Sequence, residues 1–319
     1  MVTGIHPDLQ RAAAKSPSFD LNRWNLWLVR LALHWLPMPK APKEIRVENL
    51  RIPDGAGRRD IRVRLYRPRA SAAPTPVLLW FHGGGYVIGK PEMDDALCGQ
   101  YARELGIAVV SVDYRLAPGN PFPAGLEDGY AALVWVRDHA DELGIDGHRI
   151  AIGGASAGGG LAASLVQLAH DRGAVDPVFQ LLVYPMLDDR TSCRTDLADT
   201  RHLAWSRQSN GFAWQAYLGT APGARDMPDC AVPARRSNLA GLPPAWIGVG
   251  SLDLFHDEDV AYAQRLRASG GACDLLVVPG AFHGFDVFTP DAPVVKAFRA
   301  AQLAALKKHL FPSGAARAG

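Results

Sequence analysis

Four stretches of the chain, Val77 to Phe81, Ile107 to Val112, Ile150 to Gly153 and Val178 to Tyr184, are apolar almost without interruption. Helical patterns at Asp95 to Leu105, Gly125 to Ala140 and Ala157 to His170 separate them. Strands apolar on both faces and joined by helices belong to a parallel sheet covered on both sides. The same unit resumes with strands at Ala245 to Val249 and Asp274 to Val278 and helices at Glu258 to Ala268 and Val294 to Leu310. The reading is an α/β fold.

Upstream, the pattern alternates. Ile45 to Ile52 and Ile61 to Tyr66 read as strands on either side of a turn at Pro53, Asp54 and Gly55, and a Pro- and Ala-rich link runs from Pro68 to Pro76. Before them, Trp24, Trp27, Leu28, Leu31 and Trp35 fall on one stripe of an amphipathic helix that Pro37 and Pro39 end. This stripe is expected to pack on the domain; an apolar lid over a pocket and a membrane-surface anchor are the other readings. Between Leu187 and Leu242 the alternation lapses into an excursion with a helix from Ser206 to Leu218, and long insertions of this kind are functional covers or disorder. The terminus, Ser313 to Gly319, is expected to fray.

A chain of 319 residues that is 48% hydrophobic can bury a core without metals or disulfides. Its formal charge of +2, from 34 Lys and Arg against 32 Asp and Glu, includes no basic block, which argues against nucleic acid as a partner. Cys98, Cys193, Cys230 and Cys273 are scattered, so neither a zinc site nor a disulfide framework is indicated, and the cytoplasm is the default location. Met1 to Phe19 has no signal-peptide core, and no run of 18 apolar residues exists, so stable membrane insertion is not expected.

Ser156 stands between the apolar strand Ile150 to Gly153 and the Ala-rich stretch that follows, in the context Gly154, Ala155, Ser156, Ala157, Gly158. A strand-turn-helix elbow strains the central residue and demands tiny neighbours two positions either side, which Gly154 and Gly158 provide. The elbow lifts a hydroxyl to the mouth of a helix, where unpaired amides favour developing negative charge. Gly83, Gly84 and Gly85 follow another apolar strand, and three glycines in a row imply a geometric need: free N–H groups turned toward a substrate oxygen. A phosphate-binding loop would continue with Lys and Ser or Thr, whereas Tyr86, Val87, Ile88 and Gly89 follow here. His82, with Gly83, reads as support for the loop.

A serine needs a base, and the base an orienting group. Among ten histidines, His283 is the best candidate, in a turn just past the strand ending at Val278, between Gly280 and Gly284 and between Phe282 and Phe285. His139, His148, His170 and His309 fall at helix ends or on polar faces. Asp253 follows the strand at Ala245 to Val249 and is the expected acid; Asp257, Glu258 and Asp259 read instead as first-turn acids of the next helix. The order Ser156, Asp253, His283 is that of α/β-hydrolases.

HGGG at 82 to 85, VVSVDYRLAP at 109 to 118, GASAGG at 154 to 159, DLFHDE at 253 to 258 and FHGF at 282 to 285 together resemble the hormone-sensitive-lipase-like family of α/β-hydrolase carboxylesterases. The resemblance implies an α/β-hydrolase fold: an eight-stranded, mostly parallel sheet with strand two reversed, flanked by helices. It divides the chain into a core at 43–186 and 241–319 and a helical cap from 1–42 and 187–240. It implies Ser156 as nucleophile, His283 as base and acid, Asp253 as its partner, and oxyanion donors from the amides of Gly84, Gly85 and Ala157. No cofactor or metal is implied.

Three positions depart from the family pattern: Ala155 replaces an Asp before the serine, Gly119 replaces a Glu, and Leu254, Phe255 and His256 replace Pro, Leu and Arg. The expected activity is hydrolysis of small-molecule esters with short to medium acyl chains, because the Trp24 to Trp35 stripe with Phe212 and Trp214 suggests a small covered apolar pocket. An amidase or deacetylase using the same three residues, and a non-catalytic ligand-binding protein of the same fold, are the alternatives. The resemblance also suggests a homodimer through the edge strand near Asp274 to Val278.

Overall fold

Alternate residues of an apolar strand face opposite sides of its sheet, and here both sides are buried. On the third strand Val77, Leu79 and Phe81 join one apolar cluster, with Leu161 and Leu165, while Leu78 and Trp80 join a second, with Tyr101 and Phe298. The computed structural model describes residues 4–15, 20–69, 74–197 and 202–312. Among these, eight strands form one sheet: β1 (Ile45–Pro53), β2 (Asp60–Pro68), β3 (Thr75–Phe81), β4 (Ala108–Val112), β5 (Ile145–Ala155), β6 (Phe179–Val183), β7 (Ala245–Gly250) and β8 (Cys273–Val278). Their spatial order is β1-β2-β4-β3-β5-β6-β7-β8. β2 runs antiparallel to β1 and β4, and the remaining neighbours are parallel, so the single reversal falls at strand two.

The helices are α1 (Gln10–Lys15), α2 (Leu26–Trp35), α3 (Asp95–Leu105), α4 (Ala124–Asp138), α5 (Ala140–Leu143), α6 (Ala157–Arg172), α7 (Arg207–Leu218), α8 (His256–Ala268), α9 (Phe285–Phe288) and α10 (Pro293–Leu310). Buried residues of α3 and α10 cover one face of the sheet, those of α4, α6 and α8 the other. The excursion from Leu187 to Leu242 carries α7 and is tied to the N-terminal segment: the Leu21 amide donates to Ser209 Oγ at 2.8 Å and Ser206 Oγ to Asp20 Oδ1 at 2.5 Å. Residues 4–15 go elsewhere, onto the turn after β8, where the His6 amide donates to the Gly280 carbonyl at 2.9 Å.

Three sequence expectations differ from the structure. β5 begins at Ile145, not Ile150: Ile145 is buried and pairs with Thr75 across a register shift, and the polar Asp146 to Arg149 stretch that hid it is held by its own bonds, Asp146 accepting from the His148 amide and Arg149 Nε. The helix expected through Ala140 stops at Asp138, and α5 follows as a separate turn. The α2 stripe does not pack on the domain. Leu26 is buried and Val29 packs on the core, whereas Trp24, Trp27, Leu28, Leu31 and Trp35 face solvent. The fraying expected at Ser313 to Gly319 lies outside the described residues, as do 70–73 of the link.

Candidate active site

The central strand β5 ends in a turn that few residues can make. Ser156 has φ 57° and ψ −122° as it enters α6, a backbone state costing on the order of 1–3 kcal/mol for a non-glycine residue. The turn is tight enough that a Cβ on Gly154 would overlap the Gly158 carbonyl, and one on Gly158 the Phe81 carbonyl of the neighbouring strand. The Ser156 amide donates to Val183 O of β6 at 2.9 Å, which pins the elbow across the sheet.

Two further strand ends meet the hydroxyl. Past β7, the Asp253 amide donates to the Gly250 carbonyl at 3.1 Å, and its Oδ1 accepts from the Phe255 amide at 2.9 Å. Oδ2 is left for His283 Nδ1, 2.9 Å away, and His283 Nε2 lies 2.9 Å from Ser156 Oγ. A carboxylate can only accept, so Nδ1 carries the proton and Nε2 presents its lone pair to the serine. All three side chains are buried. The rival acids do not reach His283. Asp257 is at the surface with His256 and Arg194, and Glu258 accepts from the Leu187 and Asp188 amides, at 2.7 and 3.1 Å, and from Thr191. Glu258 and Asp259 do lie in the first turn of α8, as expected, but both are buried rather than solvated. Burial pushes both carboxyls well above their ordinary values. Among the set-aside histidines, His139 Nδ1 contacts the Trp135 carbonyl and His309 stacks on Phe179, each away from Ser156.

The glycine loop passes beside the elbow. A Cβ on Gly83 would stand 3.4 Å from Ser156 Cβ. Gly84 and Gly85 have φ of 121° and 59°, and side chains there would strike the Ile88 carbonyl and the ring of Trp205. Ala157 is the first residue of α6, so its amide has no intrahelical acceptor. His82 is buried, stacks on Tyr114 at 4.4 Å between centroids, and lies with Nδ1 2.8 Å from the Gly83 carbonyl. Burial lowers its pKa, so the ring is neutral and Nδ1–H donates to that carbonyl. The Tyr114 hydroxyl donates to the His82 carbonyl at 2.8 Å.

Several residues of the site escape sequence reasoning. Tyr184 and Phe255 meet the His283 ring edge-on from two sides, with centroids 4.9 and 5.0 Å away. The Tyr184 hydroxyl donates to Asp286 Oδ1 at 2.8 Å. Trp205, from the excursion, lies over Gly85 and is steadied by its Nε1–H bond to Asn210 Oδ1 at 3.2 Å. Phe255 had one signal, its place in the altered DLFHDE motif; the others come from segments whose sequence carries no local signature. Ala155 is buried in the apolar cluster with Tyr184 and Phe282.

An elbow serine between a central parallel strand and its helix, in contact with an imidazole and a carboxylate from later strand ends, is the arrangement of serine hydrolases with the α/β-hydrolase fold. Comparison with known proteins agrees. Residues 78–287 match a family described as alpha/beta hydrolase fold. Carboxylesterase NlhH of Mycobacterium tuberculosis is 38% identical over 274 residues, 85% of this chain and 85% of that one. Carboxylic ester hydrolase LipN of the same species is 41% identical over 254 residues, 78% of this chain, and the chain spans 66% of LipN's length. Among solved structures, a bacterial heroin esterase superposes with a TM-score of 0.88 at 37% identity, covering 96% of this chain and 98% of that one. The chain belongs to this family, the hormone-sensitive-lipase-like carboxylesterases of the α/β-hydrolase fold.

Proposed function

We propose that this chain hydrolyses small-molecule esters with short to medium acyl chains through an acyl-enzyme on Ser156. The observation that carries the reading is the pair of contacts at 2.9 Å linking Ser156 Oγ to His283 and His283 to Asp253. His283 Nε2 takes the serine proton as Oγ attacks the ester carbonyl, and Asp253 steadies the imidazolium that forms. The amides of Gly84, Gly85 and Ala157 carry the oxyanion and supply several kcal/mol between them, the loss of one such donor costing about 3 kcal/mol. His283 then protonates the leaving alkoxide, and a water activated by the same nitrogen releases the acid. His82 and Gly83 hold the loop that presents two of those amides.

The short to medium range draws its support from Trp205, whose ring stands where a side chain on Gly85 would reach, next to the proposed oxyanion donors. The Trp24 to Trp35 stripe no longer supports it, because those rings face outward. Of the cap assigned to 1–42 and 187–240 over a core of 43–186 and 241–319, residues 4–15 lie instead on the turn after β8 of the core; the bonds between Leu21 and Ser209 and between Asp20 and Ser206 support joining 20–42 to the excursion. A p-nitrophenyl series from acetate to palmitate, with a matched anilide and Ser156→Ala as control, tests the reading. Activity is expected to peak at or below the octanoate and to vanish in the variant; a peak at palmitate contradicts the size range, and faster anilide cleavage favours the amidase alternative.

The chain works in the cytoplasm, in keeping with four cysteines that are all free thiols. It forms a homodimer through β8, which ends the sheet and pairs only with β7 among the described residues. Equilibrium sedimentation reads this directly: a two-subunit mass is expected, and one subunit at micromolar concentration contradicts it. No described helix is long and apolar enough to cross a membrane.

A further inference from the structure

The outward face of α2 is the most exposed apolar surface described. Trp24, Trp27 and Trp35 are 72%, 62% and 76% exposed, and Leu28, Leu31 and Leu36 are each at least half exposed. These positions recur at helical spacing, so they form one continuous stripe rather than scattered surface residues, and contiguous apolar surface of this kind marks an interaction site. The opposite face is fixed: Arg30 Nε donates to the Val87 carbonyl at 2.9 Å and Nη2 to the Ala117 carbonyl at 2.7 Å. The stripe therefore cannot turn inward without breaking both bonds.

Charge chooses the occupant. From Leu21 to Lys43 the chain holds no Asp or Glu, and besides the inward-facing Arg30 it carries three exposed cations, Arg23, Lys40 and Lys43. Arg23 stacks its guanidinium 4.0 Å from the Trp24 ring. Where the stripe ends, a groove of about 710 Å³ continues it, lined by Leu36, Met38, Lys40, Lys43, Arg69 and Lys90. The two acids in this groove are already paired, Asp95 with Arg64 at 2.7 Å and Glu92 with Arg62 at 2.5 Å, so the groove keeps a positive excess. A second copy meeting this face about a two-fold axis would set these cations against one another. An anionic lipid surface suits both halves of the feature: Trp and Leu enter the acyl boundary while Lys and Arg reach the headgroup phosphates.

We propose that the α2 stripe and its basic groove dock the protein peripherally on anionic lipid bilayers. Docking this way leaves the Arg30 bonds intact and sets the Val87 end of the glycine loop about one helix diameter, roughly 10 Å, from the headgroup plane. The proposal stands whether or not Ser156 is the nucleophile.

Co-sedimentation of the full chain with vesicles of phosphatidylcholine alone, and of phosphatidylcholine mixed with phosphatidylglycerol, tests it. Binding is expected to the mixed vesicles, weakening as salt is raised. Trp27→Ser with Trp35→Ser, and separately Lys40→Glu with Lys43→Glu, should each lower partitioning at least about ten-fold, since each lipid-facing cation alone is worth about a five-fold change. Both variants alter exposed side chains and should hydrolyse p-nitrophenyl acetate in solution as the parent does. Binding to neither vesicle overturns the proposal, as does binding that both variants retain. A dimer in solution that the Trp variant dissociates assigns the face to a second copy instead.

Discussion

Tyr184 sits at φ 36°, an uncommon state for a residue with a side chain, with its ring against His283 and its hydroxyl on Asp286. Burial raises the Asp286 carboxyl above its ordinary value, and the Tyr184 hydroxyl bond works against that rise. Tyr184→Phe keeps the ring and removes the donor, so it should cost about 1–3 kcal/mol in urea denaturation while kcat stays near that of the parent. Asp253→Asn acts on the other side of the imidazole. An amide at this position can donate to Nδ1 and favour the wrong tautomer, and kcat should fall by on the order of 10⁴-fold with the fold intact. Glycine positions at the elbow and loop are legible in the sequence because backbone sterics there admit nothing larger. Tyr184, Asp286 and Trp205 are not: their meeting with the site depends on which strand ends and cap segments become neighbours, and that is settled by the whole sheet.

At the scale of elements, Glu258 ties α8 to the segment leaving β6. Its carboxyl takes the Leu187 and Asp188 amides and the Thr191 hydroxyl, holding the start of the excursion where the chain departs from the sheet. Glu258→Ala leaves three donors in a buried setting without their acceptor and should destabilise the fold by roughly 3 kcal/mol in chemical denaturation; a change near zero would show that the segment is held otherwise. Position in the first turn of α8 can be read from the sequence, but burial cannot, because it depends on the excursion folding back over the helix. The central strands were readable for the opposite reason. Val77 to Phe81 is apolar at every step and Ile107 to Val112 at every step but Ser111, whereas β5 hid its first half behind Asp146 to Arg149. The stripe of α2 has perfect helical spacing, and spacing alone does not say whether a stripe faces the core or the solvent.

Over the molecule as a whole, buried carboxyls set the response to pH. Asp94 keeps some exposure as a residue, yet its carboxyl accepts from Trp80 Nε1–H at 2.7 Å, and burial, with repulsion from Asp286 and Asp95, pushes its pKa up to about 6 from an ordinary 3.8. An acid with a raised folded-state pKa adds stability that is complete below the unfolded value and is lost as pH climbs through the folded one. Stability should therefore decline by up to roughly 3 kcal/mol between about pH 3 and 7, and Asp94→Asn, which can still accept from Trp80, should remove that share of the decline. Equal slopes for the two proteins would contradict it. The sheet also brings the ends of β5, β7 and β8 together, and with them Ser156, His283 and Asp253; the proposed role of Ser156 as nucleophile depends on that meeting. Treatment with a fluorophosphonate followed by peptide mass mapping tests this most directly. A single adduct on Ser156, lost in His283→Ala, is the predicted result; ester hydrolysis that continues with Ser156 unlabelled, or with the label on another serine, would contradict it.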